Sequence, residues 1–405
     1  MINLKAHTRI ALGYFFLVGL LGLFLRSFFV TAIPANYRYV VHAHSHIALL
    51  GWVYIALTTL IYKLYFPEGE KAKTYRRIFW FTQITLLGML FTFPFTGYAL
   101  YSITFSTLFL FASYLFTWFV LKRTSEEVRN TYSFRLIKAA LWYLVFSSVG
   151  PWALGGVMAT LGKDSIWYNM AIYFYLHFQY NAWFIFALCG ILFYFLEKRV
   201  LLPKKRVFDR FFYLLNTGVI LSFFLSVLWV KPHWIFYVLA GSGAIIQLLA
   251  FADLFKILRN FWQDRRFDFP SFVKLLLLIS GILLAGKILL QLLSAIPYFA
   301  DLAFSFPDFV IGYLHWTFLG VVSLSLFAFL WLARLYKVPK MAFWIYFAGF
   351  VLSEAFIFYK GISVWAGIPV FAEYFVVLVA VSSLLPLSIG IMFFKSLLTK
   401  NQHLS

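Results

Sequence analysis

Five histidines stand inside otherwise apolar stretches of this sequence: His42, His44, His46, His177 and His315. Imidazole is a polar group that hydrocarbon tolerates poorly, and it is also the side chain that best ligates haem iron, copper or zinc. In a helix His42 and His46 lie one turn apart on one face, while His44 points roughly 200° away. The pair at 42 and 46 could chelate one metal, or one of them could ligate a haem while the other hydrogen-bonds. The single cysteine, Cys189, allows no internal disulfide and no thiolate cluster, so imidazole would carry the coordination. A small residue a turn or so beyond a ligand leaves room for a flat macrocycle, as Gly51 and Gly320 would. Arg26, Lys287 and Glu354 are further ionisable groups within apolar runs, and such groups mark functional sites by default. Glu354 could pair with Lys287 or with Lys360.

The elements that must position these residues are membrane helices. Of 405 residues, 63% are hydrophobic and 12% charged, against about 45–50% and 25% in soluble domains. Soluble globular and disordered classes are thereby excluded. Twelve stretches reach the roughly 20 apolar residues a span needs: 9–32, 39–65, 78–97, 99–121, 135–160, 167–196, 209–230, 234–255, 271–296, 309–333, 340–359 and 370–396. Pro94, Pro151 and Pro386 are expected kinks. The first run is too long for a signal peptide and lacks a small-residue cleavage site. The expectation is an all-α, polytopic membrane protein, with residues 1–405 as one transmembrane domain in contact with the lipid bilayer.

Lys and Arg outnumber Asp and Glu by 34 to 14, a net charge of +20, which in a soluble chain would point to nucleic acid. With the N-terminus taken as cytoplasmic, 28 of the 34 basic residues fall on that side, from Lys5 and Arg9 to Lys395 and Lys400. The charge then sets topology, with both termini cytoplasmic, and implies no nucleic-acid partner. In that orientation the five histidines, Arg26, Lys287 and Glu354 all fall in the outer half of the membrane at about 1.5 Å per residue. His46, His177 and His315 each precede a small residue by five positions (Gly51, Ala182, Gly320), and they open the second, sixth and tenth spans. This pattern predicts three four-helix repeats, about 9–121, 135–255 and 271–396, around a pseudo-threefold axis.

The segment His44-Ser-His46-Ile-Ala-Leu-Leu-Gly51-Trp-Val-Tyr54 resembles the His-x-His-x-Ala-Leu-x-Gly-x-Tyr type of segment in the catalytic subunit of haem–copper oxidases and nitric oxide reductases. It is also similar to the His-Ala-His segment of NnrS-type haem–copper membrane proteins. The resemblance implies a twelve-helix fold with haem in the outer half, in the inner (cytoplasmic) membrane. It further implies a b-type haem with the second-span histidines and His315 as axial pair, and His177 on a second metal such as copper or facing a distal pocket. Arg26 and Arg38 would stand at the depth of the haem propionates, where guanidinium pairs well with carboxylate. Electron transfer or oxygen and nitric oxide chemistry would follow, with an electron donor or other respiratory subunits as partners.

The departures are specific. The seventh span, Phe211–Val230, has no histidine where the oxidases carry a copper-binding pair, and Tyr180 follows His177 by three positions rather than four. The tenth span has one histidine where the family has two. Oxygen reduction with proton pumping is therefore not expected, though an oxidoreductase without a complete copper site remains open. His233, beside Pro232 at the outer mouth of the eighth span, reads as an interfacial histidine. Two other classes stay open on the residues: a haem-free copper or zinc protein using His42, His46, His177 and His315, and a small-anion transporter.

Overall fold

In hydrocarbon every backbone N–H and C=O must be satisfied within its own segment, which leaves the helix as the state of long apolar runs. The structure is a computed structural model that describes residues 2–67, 69 and 71–398. Among the described residues, twelve helices are long and apolar enough to cross a membrane. They are α1 (Leu4–Ser27), α2 (Tyr37–Tyr65), α3 (Ala72–Thr96), α4 (Leu100–Arg123), α5 (Tyr132–Thr160), α6 (Ile166–Glu197), α7 (Lys205–Val230), α8 (Ile235–Trp262), α9 (Ser271–Leu293), α10 (Pro307–Leu332), α11 (Lys340–Trp365) and α12 (Tyr374–Leu398). Every expected span is present, and no strand occurs among the described residues. The far ends of α8 and α11 run on beyond the expected positions, to Trp262 and Trp365. Hydropathy fades there before helix propensity does, because Lys256, Arg259 and Lys360 are good helix formers. Lys400, assigned above to the inner side, lies outside the described residues.

Basic side chains at helix ends lie over aromatic rings: Lys122 over Trp118, Lys198 over Tyr194, Lys274 over Trp262 and Lys337 over Trp331. Aromatic rings beside basic groups near span ends are the pattern expected at a membrane interface. Arg135 pairs with Asp209 and Arg210 with Asp253, tying α5 to α7 and α7 to α8.

The helices pack as two units, residues 1–124 with 326–405 and residues 125–325, a partition that cuts across the three expected segments. In the first unit, Phe15 of α1 stacks on Trp52 of α2 with ring centroids 4.5 Å apart, and Phe327 and Tyr346 meet Phe15 at an angle. Tyr14 donates its hydroxyl to Gln83 Oε1 at 3.0 Å, bracing α1 against α3. In the second unit α7 and α8 approach most closely. A Cβ added to Gly243 would stand 2.3 Å from Ser222 N, so only glycine permits the contact. Gln247 uses that proximity to donate to Ser222 Oγ at 2.6 Å and to the carbonyl of Gly218 at 3.1 Å.

Among the described residues, three helices turn π-helical in mid-course. α2 is π-helical over Ile47–Tyr54, α6 over Phe178–Trp183 and α10 over Trp316–Val322. The residues immediately before these segments are His46, His177 and His315. π geometry is rare and concentrates at functional sites. Its i→i+5 bonding pairs residue n with n+5, and the residues five places after the histidines are Gly51, Ala182 and Gly320. The shared small residue seen in the sequence is thus the one that closes the first wide turn.

Candidate functional site

In the first unit the histidines of α2 divide between two neighbours, as their helical angles require. His44 turns to α1, where Nδ1 donates to the carbonyl of Val18 at 3.2 Å. Gly22 makes room for that ring, since a Cβ there would stand 3.1 Å from His44 Cε1. His42 and His46 turn to the end of α3. His46 stacks on Phe93 with centroids 4.4 Å apart, and His42 meets Tyr98 edge-on at 4.6 Å.

His46 Nδ1 lies 2.8 Å from the carbonyl oxygen of His42. A carbonyl can only accept, so Nδ1 carries the proton, and in the neutral ring Nε2 keeps its lone pair. This is how proteins orient a metal-ligating histidine, with one nitrogen committed to a carbonyl and the other presented.

Arg26, late in α1, lies within electrostatic reach of Glu354 of α11 and of Tyr37 and Tyr374. Its Nη1 is buried without a hydrogen-bond partner, a costly arrangement for a charged donor unless an anion completes it. Glu354 is 3% exposed. Arg38, in the first turn of α2, is exposed. Gly51 does not leave a flat space: a Cβ there would meet the Tyr14 ring at 2.9 Å. The sequence expectation of room for a macrocycle against Gly51 is corrected, because an aromatic side chain from α1 fills it.

In the second unit a polar chain crosses three helices. His177 Nε2 lies 2.9 Å from the carbonyl of Val219 on α7, and Asn181 Nδ2 lies 3.1 Å from His177 Nδ1. Asn181 Oδ1 in turn accepts from Lys287 Nζ of α9, which also donates to Gln291 Oε1 at 3.0 Å. Each step fixes the next. The Val219 carbonyl makes Nε2 the protonated nitrogen, so Nδ1 accepts, Asn181 faces it with its amino group, and the amide oxygen faces Lys287.

Both nitrogens of His177, itself 2% exposed, are therefore engaged within the fold, and a metal there would have to displace one bond. Lys287 is held by amide oxygens of its own unit, Asn181 Oδ1 and Gln291 Oε1. His315 ends the α-helical start of α10 and is part-buried. His233 is exposed, with Nδ1 at 3.5 Å from Ile235 N. Among the described residues no three His, Cys, Asp or Glu side chains gather closely enough to hold a metal ion.

Asn181, Gln291 and the buried His7 were not singled out from the sequence. Two of them left a signal: His177 and Asn181, and Lys287 and Gln291, are polar pairs at i,i+4 inside apolar helices. His7 stacks on Phe79 at 3.5 Å and approaches Tyr75 Oη at 3.4 Å, and as a single histidine near the chain start it gave no pattern. No family model and no curated protein sequence matches the chain.

Proposed function

We propose that this membrane-spanning helical protein binds a haem or metal through the histidines of α2, in the outer half of the inner (cytoplasmic) membrane. The observation that carries the proposal is the Nδ1–H of His46 held on the His42 carbonyl, which presents Nε2 for axial ligation. Two other features support it. Arg26 has a buried donor unmatched inside the fold, suited to a propionate carboxylate, and a π-segment follows the histidine.

Haem, when bound, supplies one-electron and oxygen or nitric oxide chemistry. The residues of this chain bind and orient: His46 as a ligand, Phe93 and Tyr98 as an apolar wall, and Arg26 with Arg38 toward carboxylates. The resemblance of the α2 segment to haem–copper oxidases and NnrS-type proteins points the same way, to electron transfer from a donor protein or to oxygen or nitric oxide handling.

The test is an oxidised and reduced absorption spectrum of purified protein, with and without nitric oxide. Soret and α bands that disappear in His46→Ala support the reading, and a colourless protein free of iron sinks it. A second reading has its own support: His42 and His46 share one face toward Phe93 and Tyr98, as a small copper or zinc site would require. Stoichiometric copper or zinc without iron decides for it.

A further inference from the structure

Lys287 has no carboxylate within ion-pair distance among the described residues, and it is 1% exposed. A lysine so placed within a membrane span carries an unusual cost, and its surroundings define how that cost is met. The ammonium group has three donors. Two are taken by Asn181 Oδ1 and Gln291 Oε1. The direction of the chain from Val219 through His177 holds the Asn181 amide in place, because reversing it would set its amino group against the lysine. The rings of Tyr180 and Tyr313 lie 5.9 and 5.5 Å from Nζ. That is near the roughly 6 Å limit of a cation–π contact, so they shield the charge but leave the third N–H without a close acceptor.

Both tyrosines keep accessible surface while Lys287 does not. The inner side of this cluster thus has polar side chains on a fixed hydrogen-bond pattern, a unit charge unmatched in its own unit, and one donor unspent. Neutral amides stabilise a cation by dipole but do not neutralise it, and in a medium of low dielectric a counter-charge at contact is worth far more than in water.

We propose that Lys287 is the centre of a binding site for a small monovalent inorganic anion of halide size, held by the third ammonium N–H. The site lies within the second unit and does not depend on any group bound at α2.

Bromide is the probe. Full-length protein crystallised in bromide is expected to show an anomalous peak within about 3.5 Å of Lys287 Nζ, an ordinary contact distance for an ammonium hydrogen bond to a large anion. In parallel, wild-type protein is expected to melt at a higher temperature in bromide than in gluconate at equal ionic strength, and Lys287→Met to lose that difference. Should Lys287→Met fail to fold, the wild-type peak decides alone. Ordered side chains at the site with no bromide peak would overturn the proposal, since an unprotonated amine with two donors is already satisfied by the two amides. So would a bromide effect on melting that persists in Lys287→Met.

Discussion

His46 donates from Nδ1 to the backbone carbonyl of His42, one turn earlier on α2. The bond uses the main chain of residue 42, not its side chain, and this separates the roles of two histidines that look equivalent in the sequence. Replacing His46 with Ala is expected to abolish haem or metal binding. Replacing His42 with Ala preserves the carbonyl and should weaken binding by less than about tenfold, the lower end of the loss seen when a supporting group is removed. Equal losses in the two variants, read by absorbance and metal content, would show that both rings are ligands.

A second expectation concerns the amide that joins His177 to Lys287. Asn181→Leu leaves a buried imidazole nitrogen and a lysine donor without partners, and should lower stability by about 1–3 kcal/mol. Gln291→Leu removes one acceptor only and should cost less, since Asn181 still accepts from Lys287. Thermal unfolding in detergent reads both variants. An unchanged midpoint for Asn181→Leu would mean that the chain of bonds contributes nothing to folding.

Close packing of α7 on α8 gives a third. Gly243→Ala forces a Cβ to within 2.3 Å of Ser222 N, so the helices must separate, at about 1–3 kcal/mol. Gly155→Ala is the matched control, because a Cβ at Gly155 meets nothing within 4 Å. It should be neutral or stabilising by about 0.4–1 kcal/mol. Comparable melting temperatures for the two alanine variants would contradict the packing described for this pair.

The twelve helices and their order were legible because each apolar run must satisfy its own backbone in lipid, which leaves one structure and a narrow range of lengths. The division of labour on α2 was legible too, since a 200° offset between His44 and its neighbours is a property of any helix. Other features depend on which helix meets which. That Tyr14 covers Gly51, and that Lys287 bonds Asn181 rather than a carboxylate, follow from side chains far apart in the chain. The π-segments left a partial trace in the small residue five places after each histidine, which the sequence offers as a repeat without disclosing the winding beneath it.

Outside the membrane spans, the loop after α8 yields a pH expectation. Side-chain bonds from Arg266 pull the Asp264 carboxyl from its usual 3.8 to about 2. A carboxyl depressed in the folded state contributes stability that is complete above the unfolded value and is lost as pH falls from there through about 2. Asp264→Asn should therefore show its small effect on loop order near neutral pH, and the difference from wild type should vanish towards pH 2. Limited proteolysis of the loop at graded pH reads it, and a difference that grows on acidification would reverse the sign.

A wide turn adds about one residue to a helix without adding length to match, and each residue in an α-helix carries roughly 100° of rotation. α2, α6 and α10 therefore each hold two rotational settings on one axis, one for the histidine stretch and one for the stretch beyond Tyr54, Trp183 and Val322. Single-residue insertions or deletions inside these segments would act as phase changes, turning the histidine against the rest of its own helix while leaving composition and span length almost untouched. The aim of each imidazole is in this sense adjustable separately from the face its helix shows to its neighbours.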